Sequence, residues 1–143
     1  MYCFTIRKAA VAVTAVAGLL LAQSAEAGDL RVEVTGLRSS KGALLVAVCT
    51  PETFARRTCP HVATAPASAG GATVRNVPPG IWAVQAIHDE DGNGILTRRG
   101  VMPDEGMAFS RDAPMRMGPP RFADAAVELG EGGTVKMAMR YFK

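Results

Sequence analysis

The segment of residues 77–94 constrains the fold of this chain more than any other. A Pro-Pro-Gly sequence at residues 78–80 predicts a turn, because proline fixes φ at about −65° and glycine accepts a positive φ. Residues 81–88 then alternate between two faces as a β-strand does, with Trp82 and His88 on the same face. Since both faces of this strand are largely apolar, we predict that it lies in the centre of a sheet.

An acidic, glycine-rich loop follows the strand at residues 89–94. Its pattern, D-x-D-x-N-G, is that of the first half of an EF-hand calcium loop. Such a loop offers Ca²⁺ the side-chain oxygens of Asp89, Asp91 and Asn93 and the carbonyl oxygen of Ile95. The alternative is a solvated polar turn without a metal, because Asp-Gly and Asn-Gly pairs suit positive φ on their own.

The set of calcium ligands in this loop is incomplete. An EF-hand carries a bidentate Glu at its twelfth position, where this chain has Gly100. A complete shell would need Asp104 or Glu105 to fold back onto the loop, so we assign both to a candidate ligand-facing surface together with His88. For His88 itself, the sequence favours a neutral imidazole that anchors the long loop by a hydrogen bond, with a metal or proton-transfer role as the alternative.

Residues 1–27 have the features of a cleaved Sec-type signal peptide. A basic start at residues 7–8 precedes an apolar run at residues 9–21, and Ala25 and Ala27 fit the small-x-small cleavage pattern. The apolar run is shorter than the about 20 residues that a membrane-spanning helix needs. We therefore predict cleavage after Ala27, one mature domain of residues 28–143, a periplasmic or secreted location, and no membrane span after cleavage.

Two cysteines, Cys49 and Cys59, remain in the predicted mature chain. An oxidising compartment favours a disulfide between them, with a reduced pair of thiols as the alternative. The formal net charge of the whole chain is only +3, and no basic stripe with interleaved aromatic residues is present, so nucleic acid is not an expected partner. Arginines and acidic residues are interleaved through residues 98–121, which predicts a mixed, solvated surface rather than an anion site.

Short alternating segments between turn signals predict an antiparallel β-sandwich. The segments at residues 30–37 and 43–49 are expected to pair as a hairpin, and residues 63–71 are expected to be an exposed connection. The long segment of residues 89–123 lacks strand or helix periodicity, and we expect one long functional or mobile loop there. The remaining predicted strands are residues 72–77, 81–88, 125–129 and 134–141.

Several motifs together carry a resemblance to a known family. They are the Leu-x-Val-x-Val-x-Gly-Leu strand with Lys41-Gly42, the Pro-Pro-Gly-Ile-Trp strand start, the loop of residues 88–94, and the segments 100–106, 109–110 and 118–125. On these motifs the sequence, over nearly all of residues 30–141, resembles the domain of unknown function 2141 family of bacterial exported proteins. The Pro-Pro-Gly-aromatic strand is also similar to that of transthyretin-like and collagen-adhesin B-type sandwiches, which implies a prealbumin-like sandwich of about seven strands. The resemblance implies no established activity.

The sequence favours an exported, non-catalytic β-sandwich module of the cell envelope, with a binding or structural role and an envelope protein or small ligand as partner. No cofactor is expected under this interpretation. The first alternative is a calcium-dependent binding module that uses Asp89, Asp91 and Asn93. The second is an enzyme in which His88 acts as acid or base with a neighbouring carboxylate.

Overall fold

The computed structural model describes residues 26–56 and 58–142. Their strands are β1 (Gly28–Thr35), β2 (Ala43–Cys49), β3 (His61–Pro66), β4 (Gly71–Val77), β5 (Gly80–Asp89), β6 (Arg98–Arg99), β7 (Met102–Pro103), β8 (Gly106–Phe109), β9 (Ala126–Leu129) and β10 (Gly133–Ala138). Two short helices, α1 (Pro51–Phe54) and α2 (Phe122–Ala125), and two 3-10 turns, Ala67–Ala69 and Ser110–Asp112, lie between them.

The strands form two main sheets and one small ribbon. The first sheet has the order β10-β1-β4, in which β1 runs parallel to β10 and antiparallel to β4. The second has the order β3-β2-β5-β8, with every neighbouring pair antiparallel. Within the described part of the chain, strands β6 and β7 pair only with each other. The predicted all-β sandwich is confirmed, with one parallel strand pair that the sequence did not indicate.

The main core lies between the two sheets. Leu30, Val74 and Met137 enter it from the first sheet, and Leu44 and Val84 enter it from the second. All five side chains are buried. Each strand contributes alternate residues because successive side chains of a strand point to opposite faces.

Strand β5 is central in its sheet and packs against apolar side chains on both faces, as its sequence predicts, although Ile81 near its start is 64% exposed. Val84 and the half-buried Trp82 face the main core, whereas Ala83 and Ile87 on the other face pack into a second apolar cluster. That cluster contains the disulfide and an edge-to-face pair of rings, Phe54 and Phe109, whose centroids lie 6.0 Å apart.

Strands β8 and β9 lie along the same edge of β5, one after the other. β8 pairs with residues 85–88 of β5, and β9 pairs with residues 80–83. Between them the chain leaves the edge and returns, and we call residues 110–125 the excursion. The predicted loop at residues 89–123 therefore needs correction, because it contains β8. This strand was not predicted because it has only four residues and all of them are buried, so its sequence shows no alternation between polar and apolar residues.

Two further predictions from the sequence were wrong. Strands β1 and β2 do not form a hairpin, because the connection between them crosses from one sheet to the other. Residues 63–71 are not a plain connection, because β3 is an edge strand paired with β2. The inner face of β3 is built from small residues such as Ala63 and Ala65, so its alternation carries little hydrophobic signal.

The predicted signal peptide lies almost wholly outside the described residues, so the signal peptide and its cleavage site stay predictions. The first described strand, β1, begins at Gly28, directly after the predicted site. Among the described residues, no helix is long and apolar enough to cross a membrane.

Candidate functional site

The last residue of β5, Asp89, anchors the acidic loop. Its carboxylate is buried and accepts three backbone hydrogen bonds, from the N–H groups of Gly92, Asn93 and Gly94 at 2.9, 3.1 and 2.8 Å. Gly94 makes its bond from a left-handed conformation, with φ of 75°. Burial alone would raise the pKa of Asp89, but these hydrogen bonds outweigh it and hold the pKa below its ordinary value. Asp89 is therefore kept as an anion at the base of the loop.

The tip of the loop is held by Asp91 and Asn93. The exposed carboxylate of Asp91 accepts from the backbone N–H of Asn93 at 3.1 Å and from its side-chain amide at 3.0 Å. The same amide donates to the hydroxyl of Thr97 at 2.8 Å, and the Asn93 side-chain oxygen accepts from the N–H of Ile95 at 2.9 Å. These bonds fold the loop into a compact turn.

Glu105, just before β8, points toward that loop. Its side chain is buried, with 5% of the residue exposed, and one carboxylate oxygen, Oε2, accepts from the N–H of Thr97 at 3.1 Å. The other oxygen, Oε1, is buried and has no hydrogen-bond partner among the described residues. Burial raises the pKa of Glu105, and the bond from Thr97 opposes this increase. The charges of Asp89 and Asp91 and the close approach of the Asp89 carboxylate raise the pKa further. A buried carboxylate oxygen without a partner is energetically costly.

Asp89, Asp91 and Glu105 bring one carboxylate oxygen each to within 4.8 Å of one another. We call this set the carboxylate triad. Three carboxylate oxygens at such spacing can bind a hard cation, which prefers oxygen ligands. Of the two residues named as candidates to complete the calcium shell, Glu105 folds back. Asp104 instead pairs with Arg99, at 2.9 Å between Nη2 and the carboxylate.

His88 directly precedes Asp89 in β5 and is completely buried. Its Nε2 lies 2.8 Å from the carbonyl oxygen of Lys41, which can only accept, so Nε2 carries a proton. In the neutral ring Nδ1 then accepts from the hydroxyl of Tyr141, at 2.6 Å. The partners of His88 thus lie in the β1–β2 connection and the C-terminal segment, not in the long loop that the sequence suggested.

Glycine at position 42 allows the β1–β2 connection to reach this site. A Cβ atom at Gly42 would lie 1.9 Å from the carbonyl oxygen of Asp89, closer than any side chain can tolerate. The Lys41-Gly42 motif therefore has two roles: Lys41 supplies the acceptor for His88, and Gly42 lets the two main chains approach.

A polar brace outside the triad was not identified from the sequence. Glu90 accepts from the guanidinium of Arg38, with 2.7 Å between Nε and Oε2, and from the hydroxyl of Ser39 at 2.6 Å. These bonds, first that from Arg38, lower the pKa of Glu90 to about 2. The Arg38 guanidinium also lies over the ring of Tyr141, 4.5 Å from its centroid. No motif joins these residues in sequence, so only the fold could reveal them.

The structure contains the predicted disulfide between Cys49 and Cys59. It closes the segment that carries α1 and lies in the second apolar cluster, on the face of β5 opposite the main core. The side-chain amide of Gln85 lies 3.6 Å from the sulfur of Cys49 and 3.7 Å from that of Cys59. The bridge therefore stabilises the sandwich at a distance from the triad.

Comparison with known proteins gives one family match. A family model described as "Uncharacterized protein conserved in bacteria (DUF2141)" matches residues 32–137. No curated protein and no solved structure matches the chain.

Proposed function

This chain belongs to the DUF2141 family of uncharacterized bacterial proteins, and from that premise we propose that it is an exported, non-catalytic β-sandwich module whose acidic loop binds a calcium ion. The observation that carries the proposal is the buried oxygen Oε1 of Glu105, which lacks a hydrogen-bond partner among the described residues and belongs to the carboxylate triad. Bound calcium would give that oxygen a partner and stabilise the loop for an envelope protein or small ligand.

The charge of the triad favours a cation. Its carboxylates repel one another, and this repulsion contributes to the raised pKa of Glu105. A divalent cation among them would replace repulsion with attraction in a partly buried site, where electrostatic interactions are stronger than in water. Oxygen-only donors of irregular geometry suit Ca²⁺ better than Mg²⁺, which requires a near-ideal octahedron and keeps its water.

The loop geometry also supports calcium. The hydrogen bond from the N–H of Gly94 to Asp89 joins positions six and one of the D-x-D-x-N-G pattern and closes the loop. Asn93 and the carbonyl oxygen of Ile95 remain the predicted further ligands. Glu105, from outside the loop, would take the role that Glu at position twelve has in an EF-hand. Because this shell combines few protein ligands, we expect a weak site of the extracellular class, with Kd of about 10⁻⁴ to 10⁻³ M.

A non-catalytic role is supported by the state of His88. Both ring nitrogens are engaged, by Lys41 and Tyr141, and the side chain is completely buried. A general acid or base must reach the proton that it transfers. The arrangement of His88 favours a structural role over the acid–base enzyme considered from the sequence.

Export is supported by the features of residues 1–27 and by the disulfide, which is typical of oxidising compartments. Extracellular and periplasmic calcium sites can be weak because the ion is abundant there, and this agrees with the incomplete protein shell. Export of the protein and calcium binding by the loop are separate properties, and each can be tested without the other.

Thermal unfolding with and without 10 mM calcium tests the proposal. A ligand that binds only the folded state at ten to a hundred times its Kd adds about 1.4–2.7 kcal/mol of stability. For a domain of this size the Tm should rise on the order of 5–10 °C. Asp91→Ala should remove the increase, and Glu131→Ala, which removes an exposed carboxylate outside the triad, should keep it. No change in the wild-type Tm would contradict the proposal.

A further inference from the structure

The acidic groups that are interleaved with arginines in the sequence are paired or buried in the fold. Among residues 98–121, Asp104 is paired with Arg99, and Glu105 is buried in the carboxylate triad. Asp112 directs its carboxylate to the backbone N–H of Ala138, at 2.7 Å. Each of these three acidic groups has a partner other than the arginines of the excursion, whereas Asp124 pairs with Arg121. The surface keeps the mixed, solvated character predicted from the sequence, with exposed Arg99–Asp104 and Arg121–Asp124 pairs, but the excursion carries more arginines than acidic residues.

Three arginines of the excursion line one open groove of about 930 Å³. Arg121 is paired with Asp124 through two contacts of 3.1 Å, and Arg111 makes one long bond, 3.4 Å, to the carbonyl oxygen of Ala123. For Arg116 the described residues provide no hydrogen bond or ion pair. The groove, which we call the arginine groove, thus carries an excess of positive charge. A guanidinium binds phosphate oxygens through paired N–H donors, which a lysine ammonium cannot do.

The arginine groove continues into an apolar cavity of about 360 Å³. Arg116 and Met117 line both. The cavity is otherwise lined mainly by apolar side chains, among them Val101 and Phe142. Val101 is 86% exposed and Met117 is fully exposed, so neither serves the core of the protein. A basic groove beside an exposed apolar cavity fits a molecule that has an anionic head and an apolar chain.

The excursion is held firmly against the sandwich, and its Ala113 and Ala125 are buried in the second apolar cluster. Its base is closed by Ser110, whose hydroxyl accepts from the N–H of Val84 at 2.9 Å and donates to the carbonyl oxygen of Ala125. Arg111 and Asp112 both have a positive φ, 59° and 49°. Such conformations are costly for residues other than glycine and are concentrated at functional sites. Arg111 is itself one of the groove arginines, and its strained backbone supports a binding role for the groove.

We propose that the arginine groove and the adjoining cavity bind an anionic phospholipid, with its phosphate among Arg111, Arg116 and Arg121 and its apolar part against Val101 and Met117. The lipid can be a single molecule or part of a membrane surface, since both present the same phosphate and chain. The three arginines are distinct from the carboxylate triad, although Met102, Pro103 and Phe142 line both the apolar cavity and the pocket that contains Asp91 and Glu105. The test is therefore made without calcium.

Co-sedimentation with vesicles tests the proposal, in the presence of a chelator so that calcium plays no part. The protein should bind vesicles of phosphatidylglycerol and phosphatidylcholine but not of phosphatidylcholine alone. Arg111→Gln with Arg116→Gln should weaken binding about 30-fold, because each arginine near an anionic surface contributes about a fivefold increase in affinity. Arg75→Gln, an exposed arginine on β4, is the matched control and should cause a much smaller change.

A second pair of variants tests the apolar part. Val101→Ser with Met117→Ser should weaken vesicle binding several-fold, whereas Val62→Ser, also strongly exposed but on β3, should not. Titration with dihexanoyl phosphatidylglycerol below its micelle concentration, followed by NMR, shows whether a single lipid is bound. Binding in either format that depends on both pairs of residues supports the proposal. Absence of lipid binding in both formats, equal loss with Arg75→Gln, or binding of inorganic phosphate alone would overturn it.

Discussion

Nδ1 of His88 lies 2.6 Å from the hydroxyl oxygen of Tyr141, and this contact joins the central strand to the C-terminal end of the described chain. The same hydroxyl oxygen accepts from the backbone N–H of Arg38 at 3.1 Å. His88 completes the chain of bonds by donating to the carbonyl oxygen of Lys41. The histidine therefore connects three segments behind the acidic loop.

Tyr141→Phe should destabilise the protein by about 1–3 kcal/mol, because it leaves buried Nδ1 of His88 without a partner. Equilibrium unfolding in urea at pH 7 measures the loss, and an unchanged far-UV circular dichroism spectrum serves as the check on folding. Ordinary surface substitutions change stability by less than about 0.5 kcal/mol. A loss of that size or smaller would show that the contact contributes little.

Ser110→Ala should also cost about 1–3 kcal/mol, for a different reason. Val84 lies between the parts of β5 that pair with β8 and β9, and its N–H finds its acceptor in the hydroxyl of Ser110. Alanine at 110 would leave that buried N–H unpaired. Ser68→Ala, at an exposed serine, is the control, and equal urea midpoints for the two variants would refute the role given to Ser110.

Glu90 should make stability depend on acid pH. Its pKa falls from 4.5 to about 2 in the folded protein, so its contribution is present above pH 4.5 and is lost as the pH falls toward 2. Because Arg38 is half exposed, we expect Glu90→Gln to cost only about 1 kcal/mol at pH 7. The difference between wild type and variant in urea unfolding should shrink between pH 5 and about pH 2. Glu33→Gln, at the exposed pair with Lys136, is the comparison; a Glu90→Gln difference that stays constant with pH would contradict the assignment.

The sequence predicted what depends on neighbouring residues. The alternation along β5 and the Pro-Pro-Gly turn located the central strand and its two buried faces, and the D-x-D-x-N-G pattern located the loop. The prediction that Trp82 lies on the same face of β5 as His88 was also correct. Trp82 is only half-buried, however, and its Nε1 donates to the carbonyl oxygen of Pro78 at 2.9 Å. In each case the determining signal lies within a few residues.

Features that depend on distant pairing were not predictable in this way. A turn between two apolar strands is compatible with a hairpin or with a crossover between sheets, and β1 and β2 form the crossover. The partner of His88, Tyr141, lies 53 residues away in the chain. Glu105 could be named as a candidate, but its burial against the loop depends on β8, which has too few residues to show a period.

The central claim is that the carboxylate triad binds calcium through Glu105, and calorimetric titration of wild type and Glu105→Gln tests it most directly. Glutamine keeps the shape of the side chain and removes its charge, so the variant should fold and be at least as stable as wild type without calcium. Titration to 10 mM calcium should give one saturable site in wild type, with Kd of about 10⁻⁴ to 10⁻³ M, and binding at least about tenfold weaker in Glu105→Gln. No saturable binding by wild type, or equal affinity in the two proteins, would contradict the account.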